Sequence, residues 1–381
     1  MPLIHVLAAV VAVTAQPVSA HATHLDGPVA APMDLDFEKP SVRVTINGQG
    51  PYRFLLDTGA SPPLVINDDL VKELGLELGE AGRVGDPMNP EAIETHSVAI
   101  GSVGIGGARF DDVEAITWDR SALYPGKDAP RGIVGFSLFK DTLLTLDYPG
   151  GRILIEEGEL PEPDGAGVVE FDAQDGVLSV TIHVAGREVE AHIDSGSMAA
   201  LTLPRSLVET LPTVGEPVAV GVARTVNSEF EVSEVVLDGA VTFGPLRLDR
   251  PTVVTNDMLP MANIGSGVLR GCSLTFDQVN QRLKIVPAAG EGVASKPVRK
   301  RYGVMLGMNP STGETTIAGT TPESPAAHAG LREGDIVIAI NGTPAAEVSA
   351  PARAAAFREP EIVLTIDRDG ERLEVSMSLD D

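Results

Sequence analysis

The sequence predicts a mainly β protein made of two related lobes, followed by a smaller α+β unit. Three observations predict it. The apolar stretches are short and rich in Val, Ile and Leu, set among 40 Gly and 29 Pro, a pattern of many strands and tight turns. The chain repeats its own landmarks about 130–138 residues on. After Pro287 the pattern changes to a short helix, a strand and Asn-Gly and Asp-Gly turns.

Length and composition set the frame. The 381 residues suit two to three domains, and 43% hydrophobic with 22% charged residues is ordinary for packed cores. The 54 acidic residues against 28 basic give a net charge of −26, a field that repels phosphate backbones and anionic headgroups. Neither nucleic acid nor a membrane surface is an expected partner. Cys272 stands alone, so no internal disulfide forms, and no Cys/His spacing suits a metal. No metal and no cofactor are expected.

Residues 1–20 read as a signal peptide. An apolar run from Leu7 to Val13 leads to Val18-Ser19-Ala20, a small-x-small pattern that fits cleavage after Ala20, although the run is preceded by no Lys or Arg. An exported protein, periplasmic or extracellular, is the expectation. No later stretch is long and apolar enough to span a bilayer, so stable membrane insertion is not expected.

The repeat sets the lobes. Tyr52-Arg-Phe-Leu-Leu-Asp57-Thr58-Gly59 matches Val189-Glu-Ala-His-Ile-Asp194-Ser195-Gly196, each an alternating strand that runs into an Asp-Ser/Thr-Gly turn. Ile105-Gly106-Gly107 matches Phe243-Gly244-Pro245, and Ile133-Val134-Gly135 matches Asn263-Ile264-Gly265. Finally Leu144-Thr-Leu-Asp147 and Arg152 match Leu274-Thr-Phe-Asp277 and Arg282. One such turn is usually only a turn; four landmarks in one order are a duplication. Residues 21–40 are then an N-terminal extension, 41–160 and 168–287 the two lobes, with the boundary in the Pro/Gly-rich stretch Glu156 to Gly167. Residues 288–300 form a linker and 301–381 the third unit.

The duplicated turns carry chemistry. Two carboxylates held a few ångströms apart cannot both ionise, so the pair shares a proton. The ionised member then serves as general base on a water, the protonated one as donor to a carbonyl, and no Ser or Cys nucleophile is needed. Glycine after the hydroxyl residue permits the tight turn, and the Thr58 and Ser195 hydroxyls suit bonds across the lobe junction. Other candidates recede. His96, His183, His192 and His328 are isolated, Gly265-Ser266-Gly267 lacks the flanks of a nucleophile elbow, and Trp118 and Cys272 read as packing residues. His192 is expected to be exposed or locally bonded.

These paired turns resemble those of the aspartic peptidases, pepsin-like and retropepsin-like, from about Val42 to Val286. The resemblance implies a two-lobed acid-protease β-barrel fold, Asp57 and Asp194 as catalytic residues, and Thr58, Gly59, Ser195 and Gly196 in support. Two positions depart from the family: Asn263 stands where an apolar residue is expected, and Met198 where a hydroxyl often supports the aspartate. The flap segment, about Gly82 to Ser97, lacks a tyrosine. The run from Ser324 to Gly342 resembles the middle of a bacterial PDZ domain, which implies a partly open β-barrel that binds an extended peptide or C-terminus by strand addition. Tyr302, Gly303, Val304 and Met305 fall at its carboxylate loop; alternatively Gly303 serves a turn and the two apolar residues the core. The implied function is an aspartic-type endopeptidase acting on polypeptides. The alternative is a noncatalytic peptide-binding scaffold of the cell envelope; a PDZ-bearing serine peptidase is disfavoured for want of a Ser/His/Asp arrangement.

Overall fold

The computed structural model describes residues 5–6, 21–35, 39–84, 93–119, 128–165, 167–173, 178–224, 229–288, 302–308, 312, 314–320, 324–348 and 350–379. The expected signal peptide, apart from residues 5–6, the tip of the expected flap and the expected linker beyond residue 288 lie outside the described residues. The described chain is mostly strand. Its longest helices, Asp68–Leu74 and Ala350–Ala356, have seven residues each, and none is long and apolar enough to cross a membrane.

The two repeats fold alike. In the first lobe, Ser41–Ile46 and Gln49–Asp57 form a hairpin, and Gly132–Gly135 lies parallel to the second strand with Gly135 opposite Asp57. In the second, Ser179–Val184 and Arg187–Asp194 form the hairpin, and Ala262–Gly265 lies parallel with Gly265 opposite Asp194. Alternation explains the burial. Phe54, Leu56 and Val134 in one lobe, and Ala191, Ile193 and Ile264 in the other, point into one continuous apolar core. At the matched Ile105 and Phe243 corners, Gly106 (φ 59°) and Gly244 (φ 51°) take the left-handed backbone that closes each hairpin.

A six-stranded sheet joins the lobes. Its order is Val168–Glu170, Arg282–Pro287, Cys272–Asp277, Leu143–Asp147, Arg152–Glu156 and Val29–Pro32, three strands from the second lobe, two from the first and one from the stretch ahead of it. The matched strands Leu143–Asp147 and Cys272–Asp277 pair antiparallel at its centre. The stretch expected as an extension is woven into the fold: Ala22–His24 pairs with Ala108–Thr117, and Val29–Pro32 closes the edge of the joining sheet.

The third unit has its own core, which includes Tyr302, Ile317, Val337, Leu364 and Ile366. Its sheet runs Val304–Met308, Thr315–Thr320, Ile336–Ile340, Glu361–Arg368, Glu371–Ser378. The Asn341-Gly342 and Asp369-Gly370 pairs are left-handed at both positions, as two-residue turns demand. Asp335, 2% exposed, accepts from Arg368 through both carboxylate oxygens and fixes the strand that follows.

Candidate active site

Each Asp-Ser/Thr-Gly turn sits where a strand leaves its sheet, and the two turns meet. Thr58 Oγ1 donates to the Ile193 carbonyl at 2.7 Å and accepts from Ser195 N at 3.0 Å. Reciprocally, Ser195 Oγ donates to the Leu56 carbonyl at 2.8 Å and accepts from Thr58 N at 2.9 Å. Four buried bonds thus lock one turn to the other, each hydroxyl both donating and accepting. The glycines make room. A methyl on Gly59 would stand 3.1 Å from Asp194 Oδ1 and 3.3 Å from Asp57 Oδ1. One on Gly196 would stand 2.3 Å from Asp57 Oδ2. Both carboxyls therefore converge on the same small space. Gly59 N donates to Asp57 Oδ1 at 2.9 Å.

A model of aspartyl proteases matches residues 42–138 and 180–275, just over half of the sequence. The chain belongs to the aspartyl protease family. The PDZ domain model matches residues 293–367. Among solved structures, basic 7S globulin from soybean is similar at 13% identity, over 68% of this chain and 95% of that one, with a TM-score of 0.40. No curated protein matches.

In this aspartyl protease-family chain the site is buried and strongly biased. Asp57 and Asp194 are 3% and 1% exposed. Burial, and then the neighbouring Asp57 carboxyl, push Asp194 up to about 8; the Asn263 amide and the buried Lys39 pull the other way. The pair thus retains a proton at neutral pH, as expected when two carboxyls share a buried site. Its Oδ1 accepts no hydrogen bond from a nitrogen or hydroxyl among the described residues, which leaves that oxygen to the shared proton.

The two departures have different outcomes. Asn263 Nδ2 donates to Asp194 Oδ2 at 3.0 Å, so the residue that breaks the apolar pattern is the one that holds the aspartate. Beside Met198, Ser197 carries a buried hydroxyl, yet its Oγ makes no hydrogen bond among the described residues. His192 is 6% exposed, and burial pushes it down to about 4, so it is neutral. The expectation of an exposed or locally bonded His192 is corrected: its strand lies between Ser179–Val184 and Ala262–Gly265, and the face that bears it is covered.

The PDZ candidates divide. Tyr302 lies in the core of its unit, edge-on to Phe357, and donates to the Glu359 carbonyl at 2.8 Å. Val304 packs in the same core. Core packing takes up these two side chains, while a carboxylate loop binds through its backbone amides. Gly303 (φ 70°) makes the turn ahead of Val304–Met308, and the Met305 side chain lies outside the described residues. The strand Val304–Met308 pairs with Thr315–Thr320 on one side and with no other strand among the described residues.

Proposed function

We propose that the chain is an aspartic-type endopeptidase whose catalytic residues are Asp57 and Asp194, supported by Thr58, Gly59, Ser195 and Gly196. The convergence of two buried carboxyls, locked by the reciprocal Thr58 and Ser195 bonds, supports this reading above all. A water between the carboxyls loses a proton to the ionised one as its oxygen attacks the scissile carbonyl carbon. The protonated carboxyl gives its proton to the carbonyl oxygen, which makes a neutral diol. Collapse of the diol breaks the C–N bond, and the amine leaves with the proton taken from the water. Turns held this rigidly keep the pair in place without reorganisation, the condition for electrostatic catalysis in a buried site.

The noncatalytic scaffold has no comparable support, since a scaffold does not require two carboxyls to be buried together at a cost in desolvation. The place of Val304–Met308 at the end of its sheet supports a PDZ role in binding an extended chain by strand addition. The apolar run Leu7 to Val13 and the net charge of −26 support export to the periplasm or medium.

The deciding experiment incubates purified protein with an unfolded, unlabelled protein substrate and maps the cuts by mass spectrometry. Cleavage that a diol-mimicking inhibitor blocks, and that serine and metal reagents leave alone, supports the reading. No cleavage between pH 3 and pH 9 would overturn it.

A further inference from the structure

The sheets of the two lobes correspond residue for residue around the aspartates, but they are lined differently. In the first lobe, Leu55 lies two residues before Asp57, pairs with Ile133, and Ile133 pairs with Val65. Leu55, Val65 and Ile133 form an apolar cluster with Ala60, apart from the main core, with Ile116 and Trp118 packed on it. The same path in the second lobe starts at His192, two residues before Asp194, crosses to Asn263 and then to Thr202. Three apolar positions have become three polar ones.

These side chains are buried, at 6% for His192, 5% for Asn263 and 0% for Thr202. Their neighbours Ala191, Ile193, Leu201, Leu203 and Ile264 fill the main core, so by strand alternation the three turn to the opposite face, the one that bears Asp194. Burying polar groups without partners costs free energy. Here Asn263 Nδ2 is taken by Asp194, while Asn263 Oδ1 and Thr202 Oγ1 have no partner among the described residues. The fold does not demand this polarity, because the first lobe builds the same three positions from Leu, Ile and Val.

We propose that His192, Asn263 and Thr202 form a recognition site for a hydrogen-bond-donating substrate side chain on the Asp194 side of the cleaved bond. The Leu55, Val65 and Ile133 face takes an apolar side chain on the other side. This rests on the peptidase reading. Asn263 Oδ1 and Thr202 Oγ1 supply acceptors, and the neutral imidazole supplies one more. The negative charge shared by the dyad excludes Asp and Glu. A pocket built to bond a donor rejects an apolar replacement far more strongly than an apolar pocket rejects a missing methylene.

The test uses the full-length protein and a peptide set varied at the two residues that flank one cleaved bond. Wild type should favour Asn, Gln, Ser, Thr or Lys over Leu at one position by at least about tenfold, and apolar residues at the other. His192→Leu with Thr202→Val spares the residue that touches the dyad, and should erase that preference while leaving the other position unchanged. Adding Asn263→Ile should invert it. Preferences are ratios within one protein, so a fall in overall rate does not obscure them. An apolar preference at both positions, or a preference that survives the double variant, would overturn the proposal. If wild type cleaves no peptide, the peptidase reading falls. The site is then judged by binding of hydroxyethylene peptides with Asn or Leu in the varied place: tighter binding of Asn by wild type alone supports it, and equal binding overturns it.

Discussion

Thr145 and Thr275 meet at the middle of the sheet that joins the lobes, their Oγ1 atoms 2.8 Å apart. They are matched residues of the two repeats, 130 positions apart, and they pair directly in antiparallel register. The internal symmetry axis therefore passes by this pair as well as between the two Asp turns. Lobe junction and candidate site share one axis, and the predictions below follow from it.

Asp57→Asn and Asp194→Asn should each lower peptide cleavage by about 10⁴-fold, since either one removes half of a shared-proton pair. Circular dichroism should show the fold retained. Activity within tenfold of wild type in either variant would place the chemistry elsewhere.

The hydroxyl lock should matter to stability. Thr58→Ala leaves Ser195 N and the Ile193 carbonyl without their buried partner, at a cost of about 2–4 kcal/mol. Thr58→Ser keeps both bonds and should lose less than about 1 kcal/mol. Urea midpoints of the two variants check this, and equal losses would mean that the methyl, not the hydroxyl, carries the effect.

The two glycines should differ in tolerance. Gly196→Ala sets a methyl 2.3 Å from Asp57 Oδ2, whereas Gly59→Ala sets one 3.0 Å from Asp194 Cγ. The first must displace a carboxyl held in a buried site, and misplacement of about 1 Å costs about 10²-fold. Relative kcat should thus fall further for Gly196→Ala. The opposite order would show that the turn at Asp57, which holds Gly59, is the more tightly packed.

Burial and Asp57 raise Asp194 to about 8 in the folded chain, against about 3.9 unfolded. A raised folded value favours the protonated form. The stability it contributes is full below about pH 4 and is lost as pH rises through about 8. Asp194→Asn does not titrate, so its stability relative to wild type should grow over that window, by about 2–5 kcal/mol. Thermal midpoints across the window check it, and a constant difference would show that Asp194 is not held protonated. Cleavage should fall as the pair loses its last proton above about pH 8.

Truncation after Pro287 should leave cleavage of short peptides nearly unchanged and slow the cleavage of proteins with suitable C-termini, since a tethered binding unit raises local substrate concentration. Equal loss on both substrates would mean that the PDZ unit instead holds the lobes together.

The duplication was readable because its landmarks are local: a strand, a turn, an apolar-apolar-Gly element. Ile133-Val134-Gly135 and Asn263-Ile264-Gly265 take equivalent places beside Asp57 and Asp194. What Asn263 does there was not readable. A polar residue in an apolar pattern looks like a defect until a parallel strand brings it to Asp194. The strands Ala22–His24 and Val29–Pro32 were missed for a similar reason, since each is too short to show alternation and exists only through long-range pairing.

The joining sheet is a palindrome of three strands and three. Cut the chain in the stretch between Glu156 and Gly167, and no strand of that sheet is lost. Each half keeps its own triplet, its own hairpin and its own aspartate. The two fragments are thus preformed complements, and co-expression should rebuild the dyad from separate polypeptides. A single fragment presents Leu143–Asp147 or Cys272–Asp277 as a bare edge, a template for a second copy of itself.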